Sequence, residues 1–236
     1  MSLAVVTGGT RGIGKAISAG LAVAGHEVVA LATSTPRDPP VDVTVRICDV
    51  TDETAVTATF TDLGAIDILV NNAGVSSSNP LHRTTLAEWQ RNLAVNATGP
   101  FLCTRAVVQG MVERGRGRIV TVASTAALEA GRYVAAYAAS KHAAIGLMRV
   151  VATEVEGTGV TANSVCPTFV RTDMTVATIA NVAARTGLSL AEAESRLAES
   201  TPHHRIIEIH EVAEAVLALI HTDHNGREVL LDGGPS

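Results

Sequence analysis

The stretch Y-V-A-A-Y-A-A-S-K-H-A-A, residues 133–144, contains both tyrosines of the chain, and Lys141 follows Tyr137 by four residues in a run of alanines. On a helix, side chains four apart share a face about one turn apart, so a fixed ammonium at Lys141 is expected to lower the Tyr137 phenol pKa from its ordinary ~10. Such a phenol could give and take a proton near neutral pH. The alanines leave room for a ligand beside the pair. Tyr133 has Tyr137, not a lysine, at the same offset, and is read as a wall of a substrate pocket.

A second constellation lies near the N-terminus, where T-G-G-T-R-G-I-G directly follows a short apolar run. Gly8, Gly12 and Gly14 fall at a strand-to-helix turn, where glycine lets the backbone approach a pyrophosphate and lets helix N-terminal amides face it. Thr10, Arg11 and Ile13 are counted with them as cofactor contacts. The spacing is G-x-x-x-G-x-G; glycine-rich turns also form simply to pack helix on strand. The next strand ends A-L-A-T-S-T with no carboxylate to hold a ribose 2′-hydroxyl, while Arg11, Thr33 and Ser34 suit a 2′-phosphate. NADPH is therefore expected over NADH. Arg37 is read as a solvated loop charge.

These residues need elements to position them. Short β-branched runs at 3–7, 27–32, 43–48, 66–72, 118–124, 160–165 and 228–232 alternate with alanine-rich segments. Their near-continuous apolar character predicts an α/β fold, a Rossmann-type doubly wound parallel sheet of about seven strands with helices on both faces. The segment T-S-T-P-R-D-P-P-V-D, 33–42, is too short and proline-rich for a helix, so the sheet should be thinly covered there. Residues 171–205 form a long excursion with a helical middle, S-L-A-E-A-E-S-R-L-A-E-S, expected to be a substrate lid; E-V-A-E-A-V-L-A-L-I then begins the last helix. All of it, 1–236, is read as one domain.

Hydrophobic residues at 47%, charged residues at 17% and a net charge of -5 argue against disorder, and with no dense Lys/Arg block they give no reason to expect nucleic acid or an anionic membrane. Cys48, Cys103 and Cys166 lack any metal or disulfide spacing and are read as inert core thiols. No signal sequence or bilayer-spanning run is visible, so a cytoplasmic location is expected.

Taken together, T-G-G-T-R-G-I-G, N-N-A-G (71–74), Asn96 in L-A-V-N-A-T-G, Ser124 and Y-A-A-S-K (137–141) resemble the short-chain dehydrogenase/reductase family, in order over nearly the whole chain. The resemblance implies that Asn96, Ser124, Tyr137 and Lys141 form the catalytic group, with Tyr137 as general acid/base and Ser124 bonded to the same substrate oxygen. It further implies cofactor contacts from Asp49, Val50, Asn72, Ala73, Gly74, Tyr137, Lys141, Pro167, Val170 and Thr172, with Asn71 supporting the sheet. Thr125 falls one place off the family spacing. Pro100 cannot donate to the Asn96 carbonyl, which predicts a break in the helix there and a carbonyl free to hold a relay water toward Lys141. The chain departs from the family at Pro167-Thr168, where Pro-Gly is usual; a β-branched residue resists positive φ, leaving the path near Phe169 and Val170 open.

His203, His204 and His210 have no partners at metal-ligand spacing and no metal is assigned. Arg132 is read as a surface charge or a contact for an anionic substrate, and Trp89 as core or interface. A-T-S-T, A-S-K-H and V-C-P-T-F-V-R-T-D-M are similar to 3-oxoacyl carrier-protein reductases and polyketide ketoreductases. The expected activity is thus NADPH-dependent reduction of a β-ketoacyl thioester or related ketone. An NAD(P)-dependent secondary-alcohol dehydrogenase is the alternative, and a non-catalytic nucleotide sensor a remote one. The family also implies a homotetramer, with 86–114 and 136–156 as interface helices.

Overall fold

The computed structural model describes residues 2–129 and 131–234. Seven strands, β1 (Leu3–Thr7), β2 (Glu27–Ala32), β3 (Thr44–Ile47), β4 (Ile68–Asn71), β5 (Gly117–Val122), β6 (Val160–Pro167) and β7 (Glu228–Leu231), form one sheet in the order β3-β2-β1-β4-β5-β6-β7. Every neighbouring pair is parallel. The strands lie where the β-branched runs predicted them, within two residues at each end.

Alternation along the strands divides the core between two helical layers. Val5, Leu69, Ile119 and Ala162 pack with α2 (Glu53–Leu63), α4 (Gly99–Glu113) and α5 (Ala135–Glu154), using Phe60, Met111 and Met148. Ala4, Val6, Val70 and Val120 face the other way, against Ile17 and Leu21 of α1 (Gly12–Val23) and Val212 and Val216 of α8 (Ile209–Ile220). Local chemistry starts these helices: Asp52 accepts from Thr54 and Ala55 N–H at the head of α2, and Thr85 with Glu88 forms a capping box for α3 (Leu86–Leu93).

Among the described residues, no helix joins β2 to β3. The 33–43 segment is loop, and β3 is largely exposed, with Ile47 56% accessible, as a bare crossover requires. The helix does not break near Asn96: it runs on from Leu86 to Glu113, but Ala94–Thr98 forms a π-helical turn in which Gly99 N–H reaches Ala94 O, and Pro100 offers Asn96 no donor at the next turn. The excursion contains more structure than its sequence suggested. Besides α7 (Leu190–Glu199) it holds α6 (Asp173–Thr186), closed by Gly187 at φ 75.

Candidate active site

The loops leaving the C-terminal ends of β1, β4, β5 and β6 meet where the strand order reverses between β1 and β4, the place where an open parallel sheet leaves a crevice. On one wall, Gly14 admits no side chain: a Cβ there would lie 2.2 Å from the Gly8 carbonyl oxygen and 2.4 Å from Asn72 Nδ2. Asn72 Nδ2 donates to the carbonyls of Thr7 (2.9 Å) and Gly8 (3.3 Å), and Thr7 Oγ1 accepts from the N–H groups of Asn72 and Ala73, both at 3.0 Å. The glycine turn and the N-N-A-G loop are thereby locked together. Thr7 escaped notice in the sequence because its partners lie some 65 residues away.

Gly12, at φ 50, is open by contrast; the nearest atom to a Cβ there is Thr172 Cγ2 at 3.8 Å. Arg11 precedes α1 in an extended conformation with no side-chain cap, and no acidic residue occupies the first turn. Bare amides, a positive dipole end and an absent Cβ together fit the pyrophosphate of a dinucleotide. Arg11, Thr33, Ser34 and Arg37 are exposed near this end, and no carboxylate ends β2. Lys15, one turn beyond Arg11, was not singled out from the sequence; its Nζ pairs with the Asp38 carboxylate and donates to the Asp38 carbonyl at 3.1 Å.

The remaining cofactor candidates line the same crevice or buttress it. Asp49 Oδ1 accepts from Thr51 N–H and Oγ1, and Val50 packs against Gly99. Asn71 supports the sheet, its Nδ2 donating to Thr104 Oγ1 (3.0 Å) and Thr121 Oγ1 (3.3 Å). A Cβ on Gly74 would lie 3.4 Å from Asn96 Oδ1 and 3.6 Å from Lys141 Nζ, which puts this loop against the catalytic candidates. Pro167 ends β6, and Val170 is buried and bridges to Ile207. Thr168 avoids the left-handed region and prolongs the β6–β7 pairing through its N–H to Leu231 O at 2.9 Å.

Asn96, Ser124, Tyr137 and Lys141 come together. Lys141 is buried, with Nζ donating to Val122 O at 2.8 Å and lying 5.9 Å from the Tyr137 ring centroid. Ser124, two residues past the end of β5, caps the turn at Thr125–Ala127 by accepting from Ala126 N–H at 3.1 Å. The Asn96 side chain is structural: Oδ1 accepts from Val75 N–H, and Nδ2 donates to Val75 O and Ser140 Oγ, each at 2.9 Å. Ser140 in turn donates to Tyr137 O at 2.7 Å.

One expectation is corrected. Burial pushes the Tyr137 phenol up, with a side-chain hydrogen bond to Ser124 pulling the other way, instead of Lys141 drawing it down. The ammonium is itself brought down to about 8 by burial. Helical spacing reports proximity, whereas desolvation depends on everything packed around the pair.

Outside this group, Tyr133 adopts φ 69 with its side chain half exposed, and its carbonyl accepts from Asn79 N–H at 2.8 Å. Arg132 and His210 are exposed; His203 faces Asp232 at 3.6 Å, and His204 Nδ1 meets Glu199 O. Trp89 is 37% exposed and the three cysteines are buried. No helix among the described residues is long and apolar enough to cross a membrane.

A family profile described as short chain dehydrogenase matches residues 2–183. The D-beta-hydroxybutyrate dehydrogenase of Rhizobium meliloti (strain 1021) is 34% identical over 98% of this chain and 97% of its own length. The 3-oxoacyl-[acyl-carrier-protein] reductase of Synechocystis sp. is 38% identical over 73% of this chain and 76% of its own. Among solved structures, a single-substitution variant of actinorhodin polyketide ketoreductase with NADPH superposes with a TM-score of 0.92 at 32% identity, covering 99% of this chain and 96% of that one.

Proposed function

The chain belongs to the short-chain dehydrogenase family of oxidoreductases, and from that we propose that it is an NADPH-dependent ketoreductase acting on a β-ketoacyl thioester or a related ketone. The observation that carries the reading is the buried Lys141, with Nζ 5.9 Å from the Tyr137 ring centroid and beside Gly74, in the same crevice as the open glycine turn. A nicotinamide cofactor would supply the hydride. Gly8, Thr10, Gly12, Ile13 and Gly14 would hold its pyrophosphate, and Arg11, Thr33 and Ser34 a 2′-phosphate.

Tyr137 acts on the carbonyl oxygen. Burial keeps its phenol protonated, the form that donates as the oxygen gains charge. Ser124, oriented by accepting from the Ala126 N–H, turns its hydroxyl hydrogen to the same substrate oxygen when the cleft is filled. Lys141, fixed by Val122 O, stabilises the phenolate that Tyr137 becomes. The Asn96 side chain holds the Val75 loop to α5, and its backbone carbonyl, left without a donor by Pro100, holds the relay water.

The reductase names and NADPH of the relatives support this direction. Oxidation of a secondary alcohol is the second reading, favoured by the Rhizobium relative, and uses the same residues in reverse. Mass analysis of a reaction with NADPH and acetoacetyl-coenzyme A decides between them: a 3-hydroxyacyl product is expected. Faster turnover of 3-hydroxy substrates with NAD favours the second reading.

The reading includes 171–205 as the substrate lid of one domain, a cytoplasmic location and a homotetramer. Exposed Phe101 on α4 and Val150 on α5, 42% and 55% accessible, support the last.

A further inference from the structure

The excursion from 171 to 205 carries four arginines with unequal company; Arg196, exposed on α7, has no ion pair among the described residues. Arg171 donates to Glu208 (3.0 Å) and Glu194 (2.7 Å); Arg205 forks onto Glu211 at 2.8 and 2.6 Å and reaches Gly233 O. Both ends of the excursion are therefore fastened to the start of α8 by ion pairs. Arg185 has no carboxylate within salt-bridge distance among the described residues. Its hydrogen bond is a single one, from Nη2 to the neutral Asn79 amide at 3.2 Å.

Its position gives that difference meaning. Helix α6 begins with Thr172 beside Gly12 and ends with Arg185 on Asn79, whose N–H holds the Tyr133 carbonyl and whose Nδ2 donates to Glu88 at 2.6 Å. Fourteen residues span about 21 Å, so α6 roofs the crevice from the cofactor turn to the loop four residues before Tyr137. The base of the roof is held by ion pairs and its far end by one long neutral bond. An exposed guanidinium so held keeps four N–H donors in a fork that matches a carboxylate or phosphate. Arg132, exposed on the Tyr133 loop and without a salt bridge among the described residues, adds positive charge at the same end.

We propose that Arg185 is a specificity residue of the substrate cleft: its guanidinium exchanges the Asn79 amide for an anionic group on the substrate, a carboxylate or a phosphate, as the cleft fills. This rests on the reductase reading for the identity of the ligand. Binding then tightens the loose end of the roof.

The test compares wild type, R185Q and R185K at saturating NADPH on acetoacetate, acetoacetyl-coenzyme A and the uncharged acetoacetyl-N-acetylcysteamine. In R185Q, kcat/KM for one charged substrate relative to the uncharged one should fall about tenfold, mostly through KM, with partial recovery in R185K. Loss confined to acetoacetate identifies a carboxylate, and loss confined to the coenzyme A thioester a phosphate. Equal change in all three substrates, or none, overturns the proposal and leaves Arg185 as a roof clasp. If none is reduced, the reductase reading fails, and calorimetry with acetoacetate and coenzyme A still decides: weaker binding to R185Q supports the proposal, and equal affinity overturns it.

Discussion

Lys141 carries an ammonium where burial disfavours charge, and this has a measurable consequence. Its folded-state pKa of about 8 lies below its ordinary 10.5, so between these values the unfolded chain holds a proton that the folded one has released. Stability from this group therefore rises with pH across that window and is lowest below about 8. The difference in denaturation midpoint between wild type and K141M should accordingly move in favour of wild type from pH 8 to 10; a pH-independent difference would contradict the burial argument. Ser124 makes a separate prediction. S124A should lower kcat by roughly 10²-fold through loss of a donor to the reacting oxygen, with NADPH affinity by calorimetry nearly unchanged. Comparable loss of both would make Ser124 a structural strand-end hydroxyl. At this scale the Tyr137–Lys141 pair was legible because helical spacing alone joins them. The rise of the Tyr137 phenol was not, since burial comes from distant segments, and neither was the Asn79–Arg185 contact, 106 residues apart.

Elements place these side chains, and two of them are sharply constrained. Gly14→Ala puts a methyl carbon within 2.4 Å of two polar atoms, one of them backbone, so α1 must shift from the N-N-A-G loop. Weaker NADPH binding, by about tenfold or more, and a lower melting temperature are expected, while unchanged values for both would refute the close-approach argument. Pro100→Ala offers the Asn96 carbonyl a donor at the next turn. In this variant kcat should fall several-fold with stability held or improved, and unchanged kcat would remove the relay role of that carbonyl. The strands were legible from β-branched runs; Pro100 signalled an irregularity at Asn96 but not its form, a π turn inside a continuous helix. Helix α6 was not, because its Thr- and Ala-rich sequence buries little: only Thr175 and Ile179 are fully covered. Asp173 in its first turn and Gly187 at its end were the available signals.

For the whole molecule, one parallel sheet brings four loops to a single edge, and the order of strands decides which loops meet. The alternation of apolar runs and helices was enough to anticipate that sheet; the chain's own site chemistry then depends on the 33–42 loop and on how the helices of 171–205 pack over the crevice, which periodicity does not specify. The most direct test follows loss of reduced-nicotinamide absorbance with acetoacetyl-coenzyme A, using NADPH and NADH separately, for wild type and Tyr137→Phe. Turnover should prefer NADPH and fall by about 10³-fold or more in the variant, with NADPH binding retained. Full activity in Tyr137→Phe would contradict the acid role of Tyr137, and a clear NADH preference would contradict the assignment of Arg11, Thr33 and Ser34 to a 2′-phosphate.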